Sequence, residues 1–271
     1  LTEKLVLERS ITMTDSDPQK LVSDFVQESR TMQFTCENTG VSFEAEQIMF
    51  GGGWFPHYRF SPEETDRLIA LERQKESNER RDKWVNIQKR RYEKQCPKIM
   101  GDTDPERLPQ LQYRQVMDWS YQAKGMILHG VTGAGKTRIM WAKIRQWVSS
   151  GSGWSYYQSR KLQDMLLKSV FDKTHDDLMY QLTNHRVLII DDLGKEKAGD
   201  KWVTDIFDIV DRRCEAEKPT FITTNYNGQK LAQKYLKANP ENDETCEALL
   251  RRLREFYISV PFKVGINNEK S

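Results

Sequence analysis

The run Gly130-Val131-Thr132-Gly133-Ala134-Gly135-Lys136-Thr137 has the spacing G-x-x-x-x-G-K-[ST], and each fixed position has a physical job. Glycines let the backbone curl until successive N–H groups point inward at phosphate oxygens. Lys136 is placed to reach the β- and γ-phosphates, and the Thr137 hydroxyl to ligate Mg2+. A helix beginning near Lys136 adds the positive end of its dipole. The plain alternative is a glycine-rich turn before an ordinary helix, and the flanks weaken it. Gly125-Met126-Ile127-Leu128-His129 reads as a short buried strand, and Arg138-Ile139-Met140-Trp141-Ala142-Lys143-Ile144 continues as a helix. Strand, loop and helix come in the order the motif needs, which predicts a nucleoside triphosphate site taking ATP and Mg2+.

Two further stretches supply chemistry that such a site requires. Val187-Leu188-Ile189-Ile190-Asp191-Asp192 is four apolar residues followed by two acids. The apolar run reads as a fully buried strand. Asp191, at its carboxyl end, stands where an outer ligand of Mg2+ belongs, and Asp192 where a base can polarise the attacking water. An acid pair after a strand also makes a helix cap or a turn. Downstream of a complete phosphate loop, the catalytic reading is the stronger of the two. Pro219-Thr220-Phe221-Ile222-Thr223-Thr224-Asn225 is a β-branched strand with a polar end. The Asn225 amide can hold the water or sense the γ-phosphate, although Thr-Thr-Asn is also a good strand-end turn.

These segments need a frame. Strands are expected at 126–128, 154–158, 187–191, 220–223 and 257–261. Helical patterns separate them at 136–148, 159–170 with a second stretch to 183, 202–216 and 244–256. Short buried strands alternating with helices predict an α/β fold, a parallel sheet covered on both faces. Ahead of this core, taken as 103–271, lies an N-terminal region of residues 1–60, of which 1–30 are polar and 31–60 read as small β structure. They hold a weakly amphipathic stretch at 18–28 and a small β hairpin, 31–36 and 41–44 about a turn at 37–40. Gly51-Gly52-Gly53 and Pro56 punctuate its end. Ser61-Pro62-Glu63-Glu64 is a helix start, with Ser61 as cap and Glu64 completing a capping box. A charged helix to about Gln95, stopped by Pro97, makes 61–102 a helical linker.

Taken in order, five segments resemble one family: the loop 130–137, Ile189-Ile190-Asp191-Asp192-Leu193-Gly194, Ile209-Val210-Asp211-Arg212-Arg213, the strand 219–225, and Leu249-Leu250-Arg251-Arg252-Leu253-Arg254. They are similar to the AAA+ ATPases of the DnaC/DnaI/IstB group, the replicative helicase loaders and transposition helper ATPases. The resemblance runs from about Thr103 to Phe262. It implies a P-loop NTPase fold, an AAA+ core whose five-stranded parallel sheet has the order 5-1-4-3-2, with no clear C-terminal lid. It implies an ATPase that switches a protein–DNA assembly. Its partner would be a replicative helicase or another DNA-processing protein, with single-stranded DNA as a further one. It also implies a homo-oligomer in which Arg252, with Arg251 and Arg254 beside it, completes the neighbouring subunit's site in trans. A planar, permanently charged fork suits developing γ-phosphate charge; an isolated Arg-rich helix is otherwise a solvated face. Many such ATPases carry Glu where this chain has Asp192, and the shorter arm predicts slow hydrolysis.

The core motifs do not separate a helicase loader from a transposition helper. A small-molecule P-loop kinase, from a different class, would want arginines in a lid and an acceptor pocket; Asn225 and the late Arg cluster favour the AAA+ reading. An ATP-holding scaffold that hardly hydrolyses is a further alternative.

Composition bounds the setting. A formal net charge of +2 does not by itself argue for nucleic acid. From 71 to 98, however, ten Lys or Arg outnumber five acids, with Trp84 and Tyr92 interleaved. That stretch reads as a solvated face laced with salt bridges, a DNA contact or a docking face. Cys36, Cys96, Cys214 and Cys246 form no C-x-x-C pair. No apolar run approaches the roughly 20 residues of a membrane span, and the first residues are too charged for a signal peptide. Together these predict a reduced, cytoplasmic setting without a membrane. A first residue of Leu fits a trimmed chain or a non-ATG start. Residues 34–40 have the shape of a zinc-ribbon knuckle with Thr39 where a second Cys would stand, and Ser61 and Glu64 occupy the places of another pair. One thiolate, two hydroxyls and a carboxylate make a poor Zn2+ site, so the expectation is a knuckle that lost its metal or never had one. His57 is the extra candidate ligand and reads better as a surface residue.

Overall fold

Two phenylalanines set the register of the first sheet. In the computed structural model, which describes residues 28–50, 53–55, 58–238 and 240–263, Phe34 on β1 (Ser29–Thr35) lies opposite Phe43 on β2 (Ser42–Phe50). The ring of Tyr58 packs edge-on against both. A third antiparallel strand, β3 (Gly53–Phe55), pairs with the end of β2. The sequence expectation stops β2 at 44 and reads Gly53 as punctuation. The longer ladder is held by side chains instead: Arg30 donates to Gln47 Oε1 at 2.8 Å and covers the Trp54 ring. The helix expected at 18–28 lies, Glu28 aside, outside the described residues, as does His57.

Cys36 is fully buried at the knuckle. The Thr39 hydroxyl, followed by backbone groups of Ser61, Thr39 and Asn38, pulls its thiol down to about 7. No group of three or more His, Cys, Asp or Glu suited to a metal occurs among the described residues. The knuckle leads into α1 (Pro62–Gln95). Ser61 Oγ accepts the Glu64 N–H at 3.3 Å as a cap should. The reciprocal half of the expected capping box goes elsewhere, because the Glu64 carboxylate accepts from Asn38 and Arg67.

The chain divides into two compact units between Arg80 and Arg81, and the last turns of α1 belong with the second. There Trp84 Nε1 donates to Gly151 O at 3.0 Å, Arg91 to Trp154 O at 2.9 Å, and Tyr92 meets the Trp141 ring edge-on. Part of the basic stretch is therefore structural. After α1 come α2 (Lys98–Gly101), a 3-10 turn (Pro105–Arg107), α3 (Gln110–Met117), β4 (Gly125–Gly130), α4 (Lys136–Ser149), β5 (Ser155–Gln158), α5 (Ser159–Phe171) and α6 (His175–Asn184). The unit continues with β6 (Leu188–Leu193), α7 (Asp200–Glu215), β7 (Thr220–Thr224), α8 (Gly228–Ala238), α9 (Asp243–Glu255) and β8 (Tyr257–Phe262).

The five strands β4 to β8 form one parallel sheet in the order β5-β6-β7-β4-β8. Counted along the chain from β4 and read from the β8 edge, that is 5-1-4-3-2. Successive side chains of a strand point to opposite faces, so an unbroken apolar run needs cover on both. Leu188, Ile190 and Ile222 enter the cluster built with α5 to α9. Met126, Leu128, Ile189 and Phe221 enter the one built with α3 and α4. Neither α3 nor α8 is expected from the sequence, although Leu231 and Tyr235, one turn apart and buried, carry the signal for α8.

One buried cation couples α4 to the segment before the sheet. Lys143 donates to Met117 O at 2.8 Å, Trp119 O at 2.7 Å and Gln146 Oε1 at 2.8 Å, which satisfies the end of α3. Burial pushes its pKa down from 10.5 to about 8. The folded protein thus releases this proton near pH 8, while the unfolded chain holds it to about 10.4. Between those values the unfolded state binds more protons, so this group makes stability rise with pH. Chemical denaturation between pH 8 and 10 should show a smaller rise, or a steeper fall, in Lys143→Met than in the parent.

Candidate functional site

The loop between β4 and α4 curls because Gly130, Gly133 and Gly135 hold φ of +129°, +80° and +90°, a region open to glycine at no steric cost. Val131, Thr132 and Gly133 are exposed and Ala134 is half-buried. Gly135 caps α4 without a side chain, so no side-chain acceptor takes the first-turn N–H groups. A concave row of donors at a helix N-terminus favours an anion. Lys136 folds back over this row. Its ammonium donates to Gly130 O at 2.9 Å, Val131 O at 2.8 Å and Asn225 Oδ1 at 2.9 Å. Burial lowers the Lys136 pKa; the nearby Asp192 and Asp191 oppose this and Lys195 adds to it.

The strand end at β6 brings in the acids. Asp191 is 2 % exposed, and three hydroxyls answer its charge. Thr137 Oγ1 donates to Oδ1 at 2.9 Å, Thr223 Oγ1 to Oδ1 at 2.5 Å, and Tyr156 OH to Oδ2 at 2.7 Å. Burial, then the charge of Asp191, pushes the Tyr156 phenol above its ordinary range, so it stays a donor. All three donors are neutral. The oxygens of Thr137 and Asp191 are hard ligands of the kind Mg2+ takes, and that ion usually draws its remaining ligands from phosphate and water. The residues present therefore fit Mg2+.

Asp192 has φ of +60°, in the left-handed region that Asp tolerates better than most side chains. The β6–β7 register shifts here, with Ile190 opposite Ile222 but Leu193 opposite Thr224. Such a bulge re-aims side chains. The two adjacent acids consequently find different partners. The Asp192 carboxylate lies 2.8 Å from Lys195 Nζ, its N–H donates to Thr223 Oγ1 at 2.9 Å, and its carbonyl accepts from Ser159 Oγ at 2.8 Å.

The structure thus forms two hydrogen-bonded sets from adjacent residues of the loop, Lys136 with Asn225 and Thr137 with Asp191, and Thr223 links the second to Asp192. It does not bring Arg252 there. On α9, Arg252 Nε donates to Asp211 of α7, and its guanidinium covers the Phe256 ring; Arg251 and Arg254 are exposed. Sequence reasoning misses Tyr156, Thr223 and Lys195. A threonine in a strand and a tyrosine in another carry no local mark of a shared carboxylate. Lys195 stands three residues beyond Asp192 and could have been found from the i, i+3 spacing across a turn.

Gly194, at φ +98°, closes the turn after the acids, and a Cβ there would lie 2.6 Å from the Tyr226 ring. Gly194→Ala should cost about 1–3 kcal/mol in denaturant unfolding and weaken nucleotide binding. Gly199→Ala, where an added Cβ meets nothing, should cost about 1 kcal/mol or less and leave binding near the parent's.

Several known proteins are similar to this chain over part of its length. The chain is 24% identical over 174 residues to the replicative helicase loader DnaI of Bacillus subtilis, a match covering 62% of this chain and 56% of DnaI. It is 23% identical over 107 residues to a protein of Mycobacterium tuberculosis described as ATP-binding and carried in an insertion sequence, covering 40% of this chain and 43% of that one. The chain thus spans about half the length of the curated relatives it matches. A crystal structure of DnaI superposes with a TM-score of 0.46 at 25% identity, over 56% of this chain and 81% of that one. Residues 63–261, well over half of the sequence, match the family described as IstB-like ATP binding protein. The chain belongs to the IstB-like ATP-binding family, within the DnaC/DnaI/IstB group of AAA+ proteins.

Proposed function

We propose that this protein is an ATP-hydrolysing switch that acts on a DNA-processing assembly, as a replicative helicase loader or replication accessory ATPase. The observation that carries the reading is the convergence of Lys136, Thr137, Asp191, Asp192 and Asn225 at the carboxyl ends of β4, β6 and β7. Ligands of open parallel sheets bind at such strand ends.

In this reading Lys136 exchanges the carbonyls of Gly130 and Val131 for the β- and γ-phosphates. The first-turn N–H groups of α4 take the remaining charge. Thr137 and Asp191 would hold Mg2+, which when bound neutralises charge on the β- and γ-phosphate oxygens. Asp192 accepts the proton of the attacking water, and the Asn225 amide, already beside Lys136, fixes that water or the γ-phosphate. Arg252 serves the neighbouring subunit of a homo-oligomer. Asp211 takes its Nε, and among the described residues the two Nη groups have no hydrogen-bond partner, so a fork remains for a phosphate outside this chain.

The partner in this reading is a replicative helicase or another DNA-processing protein, with single-stranded DNA as a further ligand. A likeness to a protein named as a replicative helicase loader supports it. A second reading, a transposition helper acting with a transposase, has its own support in the relative carried by an insertion sequence. Binding of the Asp192→Asn protein, loaded with ATP, to a replicative helicase and to a transposase separates the two.

Three variants test the site. Lys136→Ala should lose nucleotide binding. Asp192→Asn should bind ATP and hydrolyse it about a hundredfold more slowly or less. Arg252→Ala should bind ATP with parental affinity yet lose hydrolysis. Mixing Arg252→Ala with Asp192→Asn should restore part of the activity, because one partner supplies the arginine and the other the intact acid. An Arg252→Ala protein with full ATPase activity excludes the trans role.

A further inference from the structure

Lys195 is a cation that the phosphate loop and the acid pair leave unexplained. It closes the turn Asp192-Leu193-Gly194-Lys195 with its own N–H on Asp192 O at 3.1 Å, and its ammonium lies 2.8 Å from Asp192 Oδ2. The backbone around it is pinned from two sides. From α5, Arg160 Nε donates to Lys195 O at 3.1 Å and Gln163 Nε2 to Lys197 O at 2.6 Å. From α8, Lys234 donates to Gly194 O, and Tyr235 OH donates to the buried Glu196, whose other oxygen accepts the Gly194 N–H at 2.8 Å. With the backbone fixed, the remaining freedom lies in the Lys195 side chain, which is 46% exposed.

Lys195 is also close enough to Lys136 for its charge to be felt there. Through its ion pair with Asp192, the residue read above as facing the attacking water, Lys195 stands on the side of the site toward which a γ-phosphate would extend. A half-exposed ion pair with a single carboxylate is weak. A terminal phosphate offers more charge and three strong acceptor oxygens, so it competes well for this cation, and a diphosphate ends too early to do so.

We propose that Lys195 senses the γ-phosphate: Asp192 holds it in the empty site, and a bound triphosphate draws it away. The transfer does two things at once. It adds a contact made to ATP and not to ADP, and it frees the Asp192 carboxylate oxygen to face the attacking water. This rests on the nucleotide site and the role of Asp192 proposed above, and it adds triphosphate discrimination to them.

The test is equilibrium binding of Mg2+ with a non-hydrolysable ATP analogue and, separately, with ADP. Lys195→Ala should weaken the ATP analogue about tenfold, or about 1.4 kcal/mol, and change ADP less than about twofold. Lys195→Arg should recover part of the loss. Equal weakening of both nucleotides would mean a distorted site, and unchanged affinity for both would mean a surface ion pair; either result overturns the proposal. An Asp192→Asn protein that hydrolyses ATP at the parental rate removes the base assignment, yet selective loss of the ATP analogue in Lys195→Ala still supports the sensing role. A parental protein that binds neither nucleotide overturns both.

Discussion

The buried carboxylate of Asp191 is the constraint on which the rest of the site depends. Removing such a charge from water costs several kcal/mol unless hydrogen bonds replace its hydration. Here the replacements come from Tyr156 on β5, Thr223 on β7 and Thr137 in the first turn of α4. Each lies on a different element. The charge is satisfied only when β5, β6 and β7 are in register and α4 starts in the right place. One oxygen of that carboxylate therefore ties the start of α4 to β7, and a slip of any of these strands would strand the charge.

Packing behind the site serves the same end. The Tyr156 ring lies 4.5 Å from the Trp141 ring, which meets Trp154 edge-on. Trp119 and Trp147 both pack against Phe221. These large side chains fill the layer between the sheet and α4, so the hydroxyl of Tyr156 has little room to leave Asp191. In this layer tryptophan is a structural choice, and rigid aromatic surface near the acids keeps a polar cluster in place inside an apolar wall.

What the sequence discloses and what it conceals divide along a physical line. The loop 130–137, the acid pair and the strand ends are legible because fixed spacing and unbroken apolar runs are local properties. Sheet order entered through family resemblance, and the observed order β5-β6-β7-β4-β8 matches it. Tyr156, Thr223 and Lys195 are not legible as site residues, because their roles arise from pairing across strands and from a bulge that reverses the aim of one residue. The pairing of Arg252 with Asp211 is hidden for the same reason, since 41 residues separate the two. β3 escapes because glycine before it reads as a break, whereas here the chain turns back and pairs.

The three bonds from Ser159, Arg160 and Gln163 to the end of β6 and the segment after it have a mechanical meaning. They span the first turns of α5, so the helix and the segment move together as a beam and its mount. At the other end of the helix Phe171 is 83% exposed. Any displacement of the start of α5 would therefore reach Asp192 and Lys195 together, through their backbone carbonyls.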